Sequence, residues 1–281
     1  MDGKIAPSGA FFRTKKRFGQ NFLVDRSVLA DILKRADVRQ SDVILEIGPG
    51  EGVLTRELLL ARPLLLYAVE LDVRLKDALE KLKTEFPDRF NLVWNDAVKL
   101  DYSGFVPFPN RVVANIPYNI TTPLIWRLLE FAPLGLTSHI YMVQKEAALR
   151  LIARPDTKDR YPLGVALEVM GAVSLVRDVA SSCFRPRPRV ESAVVEICLS
   201  RNFHLVKDGR FSALLHAGFR QRRKMLINNL KNFDPLIIWE SILERADIEP
   251  KIRAEDLSGD EWSKLYNAWT NAVISRTSSS L

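Results

Sequence analysis

The chain is poor in the residues that build metal centres and disulfide frameworks. Its 281 residues contain two cysteines, Cys183 and Cys198, too few for a cross-linked scaffold or a cysteine zinc site. They read instead as small buried hydrophobes. The three histidines, His139, His204 and His216, stand far apart and match no metal-ligand spacing, so no metal is expected. No apolar run approaches the ~20 residues that cross a bilayer. The opening MDGKIAPSGAFFRTKKRFG has no apolar stretch before a small-residue cleavage site, so a secretory signal is not expected and the cytoplasm is the default compartment. Internal repeats are absent, and so is the G-x-x-x-x-G-K-[ST] pattern of a P-loop.

What is present is a globular balance, 47% hydrophobic and 27% charged residues, which excludes a disordered or fibrous chain. Lys and Arg outnumber Asp and Glu by 41 to 34, and this excess favours a polyanionic partner if it is clustered. Clusters occur at Arg13, Lys15, Lys16 and Arg17, at Arg185, Arg187 and Arg189 between prolines, and at Arg220, Arg222, Arg223 and Lys224. Three such groups point to an RNA-binding surface rather than a solvated face. Gln221 and Asn228 or Asn229 could cap helices or touch RNA. Trp239, Trp262 and Trp269 fall at helical core spacing.

Residues 41–150 alternate short apolar runs with helix-period stretches, the pattern of βα units in a parallel sheet. The strand candidates are Val43–Ile47, Leu64–Leu71, Asn91–Asp96, Arg111–Asn115 and His139–Gln144. Beyond Tyr161 come a helix over 163–172, the strand SLVRDVA, the turn FRPRPR and the β-branched strand Ser192–Leu199, an antiparallel hairpin for one sheet edge. From about His204 only helical periodicity remains, placing a domain boundary near residues 201–209. The expectation is an α/β domain over 1–203, with 1–40 as a covering segment, and a small all-helical domain over 204–281 whose Ser-rich end is frayed. With no exposed apolar stripe evident, a monomer is expected.

The chemistry-bearing residues fall at successive strand ends, where open α/β sheets place ligands. EIGPGEG (Glu46–Gly52) leaves a strand and enters a helix, with Gly48 and Gly50 allowing close backbone approach. The acid Glu46 ahead of this loop disfavours a phosphate and suits a cationic or zwitterionic ligand. Glu70, eighteen residues past Gly52, can accept from both hydroxyls of a ribose. Asp96 can accept from an adenine amino group, and Leu71 and Ala97 flank these acids. Together they outline a pocket for S-adenosylmethionine. NIPY (Asn115, Ile116, Pro117, Tyr118) ends the fourth strand. There an Asn carbonyl and a backbone carbonyl can accept both N6–H bonds of an adenine and localise its lone pair, while Tyr118 stacks on a flipped base.

In order along the chain, KRFGQNFL, GPGEG, NIPY, FRPRPRVESAVV and FRQRRKMLINNL resemble the ribosomal small-subunit RNA adenine-N6,N6-dimethyltransferase family, from about Arg17 to the final helices. The resemblance implies a Rossmann-like class I methyltransferase sheet of seven strands with a helical C-terminal domain. It implies S-adenosylmethionine as cofactor, with Asn21 and Leu23 folding over its methionine end. It implies dimethylation of two adjacent adenosines in the terminal-helix loop of 16S rRNA in the small ribosomal subunit, with Phe184 stacking on the target base opposite Tyr118. Two other readings stand beside it. One is the macrolide-resistance type of large-subunit rRNA methyltransferase, which shares the glycine loop, the N-[IL]-P-[YF] motif and a proline-rich turn. The other is a non-catalytic RNA- or DNA-binding factor on the same scaffold.

Overall fold

The structure is a computed structural model that describes residues 21–278. The basic cluster Arg13–Arg17 and most of the KRFGQNFL motif therefore lie outside the described residues. By their contacts the residues form two compact units, Met1–Ala148 with Ser174–Cys198 and Leu149–Val173 with Leu199–Leu281.

The first unit is built on β1 (Phe22–Leu23), α1 (Arg26–Ala36), β2 (Val43–Ile47), α2 (Val53–Leu60), β3 (Leu65–Glu70), α3 (Lys76–Glu85), β4 (Phe90–Trp94), β5 (Arg111–Asn115), α4 (Thr121–Leu129) and β6 (Ser138–Gln144). After α5 (Lys145–Ile152) and α6 (Pro162–Met170), the chain returns through β7 (Gly171–Val179), β8 (Phe184–Arg185) and β9 (Ser192–Leu199). Seven strands form one sheet in the order β4-β3-β2-β5-β6-β9-β7. β2, β3, β4, β5 and β6 pair in parallel, and β9 runs antiparallel to β6 with Ser192 opposite Gln144. This is the expected class I methyltransferase sheet. β2 is buried along its whole length, as a strand covered on both faces must be. The order reverses between β2 and β5, which opens a crevice at their carboxyl ends.

One connection differs from the sequence expectation. FRPRPR is not a tight hairpin turn between β7 and β9, because β8 leaves the main sheet and pairs antiparallel with β1, Leu23 opposite Phe184 and Phe22 opposite Arg185. Val24 N–H also donates to the Cys183 carbonyl at 2.8 Å. The two cysteines differ too. Cys183 is buried, but Cys198 on β9 is exposed.

In the second unit, α6 is buried on nearly every residue and packs against α7 (Arg210–Gly218) and the last helix, α10 (Gly259–Ser278). Residues 149–173 therefore group with the helical unit, although the sequence pattern draws the boundary near 201–209. A helix that is apolar all round needs partners on every side. α8 (Leu226–Phe233) and α9 (Trp239–Arg245) complete the unit. Trp239, Trp262 and Trp269 are buried in its core, with Trp262 stacked on Phe219. Arg160 is only 1% exposed and ties the unit together. Its terminal nitrogens donate to the Ala153 and Leu257 carbonyls at 2.7 and 3.2 Å and pair with Glu168 at 2.5 Å. α10 runs on to Ser278, so the Ser-rich stretch expected to fray begins inside a helix.

Candidate active site

A cavity of about 380 Å³ opens at the crevice between β2 and β5, within the size range of small-molecule sites. Asn21, Leu23, Gly48, Gly50, Glu70, Leu71, Asp96 and Ala97 all line it, as do Asn115, Ile116, Pro117 and Tyr118. Residues from four strand ends and from the segment around β1 thus meet in one place.

The glycine loop makes this convergence possible. Gly48 has φ +67° and lies against the Pro117 ring, 3.4 Å from where a Cβ would stand. A Cβ would fit against that ring at ordinary contact distance, so it is the left-handed backbone at position 48 that favours glycine where the β2 loop meets the NIPY turn. Gly52 serves a different end, since a Cβ there would collide with Leu82 of α3. Glu70 stiffens the same loop. One carboxylate oxygen accepts from Gly50 N–H at 3.2 Å, the other from Leu71 and Asp72 N–H at 2.9 and 2.8 Å. Three of roughly four acceptor sites are thereby filled, which leaves capacity for a ligand hydroxyl. Burial raises its pKa, and the three backbone donors oppose the rise. Asp72 caps the turn that follows β3 by accepting from Arg74 N–H. Asp96 accepts from Val98 N–H at 3.0 Å and pairs with Lys99 at 3.6 Å, so it shapes its turn while lining the cavity.

The charge of the cavity is opposite to that of the chain. Glu46, Glu51, Glu70 and Asp96 line it, and no Lys, Arg or His does so among the described residues. Glu46 is 1% exposed, and its Oε2 has no hydrogen-bond partner among the described residues. Burial pushes its pKa up to about 8, the Thr55 hydroxyl opposing and the Glu70 charge adding. A buried acid without a partner is costly unless a ligand completes it. A zwitterionic ligand with extra positive charge and a ribose supplies what these acids lack, and S-adenosylmethionine has both. The sequence marks Glu46 only as the acid ahead of the glycines; its burial and its unpartnered oxygen come from the fold.

At the NIPY turn, Asn115 is half-buried at the end of β5, and its Nδ2 donates to the Asn21 carbonyl at 3.4 Å. That use of the amide nitrogen leaves Oδ1 as the acceptor. Ile116 N–H is held by the Met142 carbonyl at 3.1 Å, and Pro117 has no N–H to compete. The Tyr118 hydroxyl lies 2.6 Å from that of Ser192, and burial raises its pKa. No feature of the local sequence indicates this tyrosine–serine pair.

Phe184 is placed differently from its expected role. It is fully buried, belongs to the core cluster with Leu23 and Val28, and does not line the cavity. Pairing of β8 with β1 puts it in the core, so in this structure its ring is not offered to a base opposite Tyr118. Arg185, Arg187 and Arg189 are exposed, with Arg187 donating to the Ser181 hydroxyl at 2.8 Å. In the helical unit, Arg220, Arg223 and Lys224 are exposed on the turn between α7 and α8. Arg222 is committed elsewhere: it pairs with Glu255 at 2.5 Å and lies over the Tyr161 ring. Buried Asn229 donates to the Gly218 and Gln221 carbonyls at 2.6 and 3.3 Å, so it clamps that turn, whereas Asn228 is exposed.

The model of the family described as ribosomal RNA adenine dimethylase matches residues 11–271. The chain belongs to that family. It is 41% identical to a ribosomal RNA small subunit methyltransferase A of Clostridium botulinum (strain Loch Maree / Type A3), over 90% of this chain and 93% of the relative. Among solved structures, a dimethyladenosine transferase from Plasmodium falciparum superposes with a TM-score of 0.76 at 25% identity, covering 89% of this chain and 98% of that one. The 23S rRNA methyltransferase ErmE superposes with a TM-score of 0.63 at 25% identity, covering 88% and 99%. Like other members of the adenine dimethylase family, the chain has S-adenosylmethionine as its methyl donor, in keeping with the acid-lined cavity. Among the described residues no helix is long and apolar enough to cross a membrane, and no cluster of three metal-ligating side chains occurs.

Proposed function

We propose that this chain transfers methyl groups to N6 of two adjacent adenosines in the terminal-helix loop of 16S rRNA, acting as a monomer on the small ribosomal subunit. The observation that carries the reading is the Asn115 amide, its nitrogen bonded to the Asn21 carbonyl, set beside an acid-lined cavity at the crevice of a methyltransferase sheet. When bound, S-adenosylmethionine supplies an electrophilic methyl group on a sulfonium. Asn21, Leu23, Gly48, Gly50, Glu70, Leu71, Asp96 and Ala97 would hold it, Glu70 accepting from a ribose hydroxyl and Asp96 from the adenine amino group.

The remaining task is to make a poor nucleophile adequate. The adenine N6 lone pair is delocalised into the ring. Asn115 Oδ1 and the Ile116 carbonyl accept the two N6–H bonds and localise that lone pair. Tyr118 offers a stacking face, worth ~1–3 kcal/mol per base. No carboxylate is needed as a base, because the alkylated nitrogen is acidic enough to lose its proton to water. Phe184 supports β1 from the core in this reading. Arg185, Arg187 and Arg189, with Arg220, Arg223 and Lys224, meet phosphates, and Arg222 holds the turn that carries the last three.

The deciding experiment is methyl transfer to undermethylated small subunits, with the product nucleoside identified. N6,N6-dimethyladenosine in small-subunit RNA is the expected product. Methylation of large subunits instead would favour the macrolide-resistance type, and donor binding without transfer to either would favour a non-catalytic factor.

A further inference from the structure

The Tyr118–Ser192 pair joins two motifs far apart in the chain, NIPY and the segment after FRPRPR. Tyr118 belongs to a single 3₁₀ turn, Tyr118–Ile120, and is half-buried on the cavity wall. A phenol on such a turn can swing about its side-chain torsions. Ser192 sits where little can move. It is fully buried, begins β9, and is laddered opposite Gln144 of β6. It does not line the cavity, so any effect it has on a bound molecule passes through Tyr118. At 2.6 Å between hydroxyls, the tip of the phenol is tied to the central sheet while its face remains available.

We propose that Ser192 is a positioning residue that fixes the long axis of the Tyr118 ring against tilting and thereby aims N6 of the stacked adenine. The inference rests on the reading of this cavity as the adenine and methyl-donor site. The warrant is geometric. Transfer needs the nitrogen, the methyl carbon and the sulfur nearly collinear, and a misplacement of about 1 Å can cost ~100-fold in rate. A ring free to tilt at its base moves the far edge of a stacked purine more than its near edge, and N6 is an edge group. The demand is imposed twice in dimethylation, because the second transfer must accept a nitrogen that already carries a methyl group.

The test is a double-mutant cycle of Ser192→Ala and Tyr118→Phe, read as kcat and KM for small subunits and as the ratio of monomethyl to dimethyl product. Each single variant should lower kcat roughly threefold to tenfold, the weight of one hydrogen bond. KM and donor affinity should change little, and monomethyl product should accumulate. The double variant should be no slower than either single. Losses that multiply in the double variant would overturn the inference, and so would a Tyr118→Phe enzyme as fast as the parent. The second outcome does not depend on how Ser192→Ala folds. An active parent enzyme with either result sinks only this inference, whereas a parent that methylates no rRNA removes the reading beneath it.

Discussion

Two of the most deeply buried ionisable side chains, Arg160 in the helical unit and Glu46 in the sheet unit, are treated differently. Arg160 in the helical unit has both terminal nitrogens partnered, by two carbonyls and by Glu168, and only its Nε has no partner among the described residues. Glu46 in the sheet unit keeps an oxygen with no partner among the described residues. A buried cation bonded through its terminal nitrogens holds a structure in one arrangement, and removing it leaves its partners stranded. An unsatisfied one weakens the folded state, so it persists where a ligand supplies what is missing. The signs also separate: the ionisable residues lining the cavity are all acids among the described residues, and the α7–α8 turn presents Arg220, Arg223 and Lys224. A net charge of +7 conceals both facts.

The largest expected effect sharpens the catalytic side of this contrast. Asn115→Ala should lower single-turnover methyl transfer by ~100- to 1,000-fold, as loss of one preorganised polar group typically does. Donor affinity by calorimetry should stay within about threefold. Next comes Glu46. Its folded pKa, about 8 against an ordinary 4.5, is raised, so its contribution is intact below pH 4.5 and is lost as pH rises toward 8. Glu46→Gln should therefore stabilise the ligand-free protein by about 3 kcal/mol at pH 7, measured by urea unfolding, with the gain vanishing near pH 4. A destabilised variant at pH 7 would break the comparison. Arg160→Met should do the reverse, costing about 2 kcal/mol, a value discounted because Glu168 is 39% exposed. Hydrogen exchange should place that loss in the helical unit and leave donor binding unchanged. The smallest effect is electrostatic. Replacing Arg220, Arg223 and Lys224 with Ala should weaken RNA binding about tenfold at moderate salt and flatten its salt slope by ~2–3. An unaltered slope would show that the turn does not touch phosphates.

Much of this was legible in the chain because the chemistry sits at strand ends. Short apolar runs, a glycine loop and NIPY each announce themselves within a few residues, and parallel topology brings those ends together. What escaped are pairings between distant segments. β1 and β8 are two residues each, too short for any period, and their union decides that Phe184 is buried. Arg222 looks like its cationic neighbours until Glu255 is seen beside it. Cys198 lies on a β-branched strand whose average apolarity says nothing about which face is covered. α6 lies between β6 and β7 in sequence but finds its partners in α7 and α10.

The short ribbon of β1 and β8 makes the two ends of the sheet unit's sequence mutually dependent. A deletion that removed Phe22 and Leu23 would take away more than two wall residues of the cavity. It would strip Arg185 and Phe184 of their ladder partners, open a path for water to an aromatic ring that now has none, and leave the arginine-bearing prolines without a fixed root. Shortening the chain at its start is in this fold an injury to a loop more than 150 residues downstream.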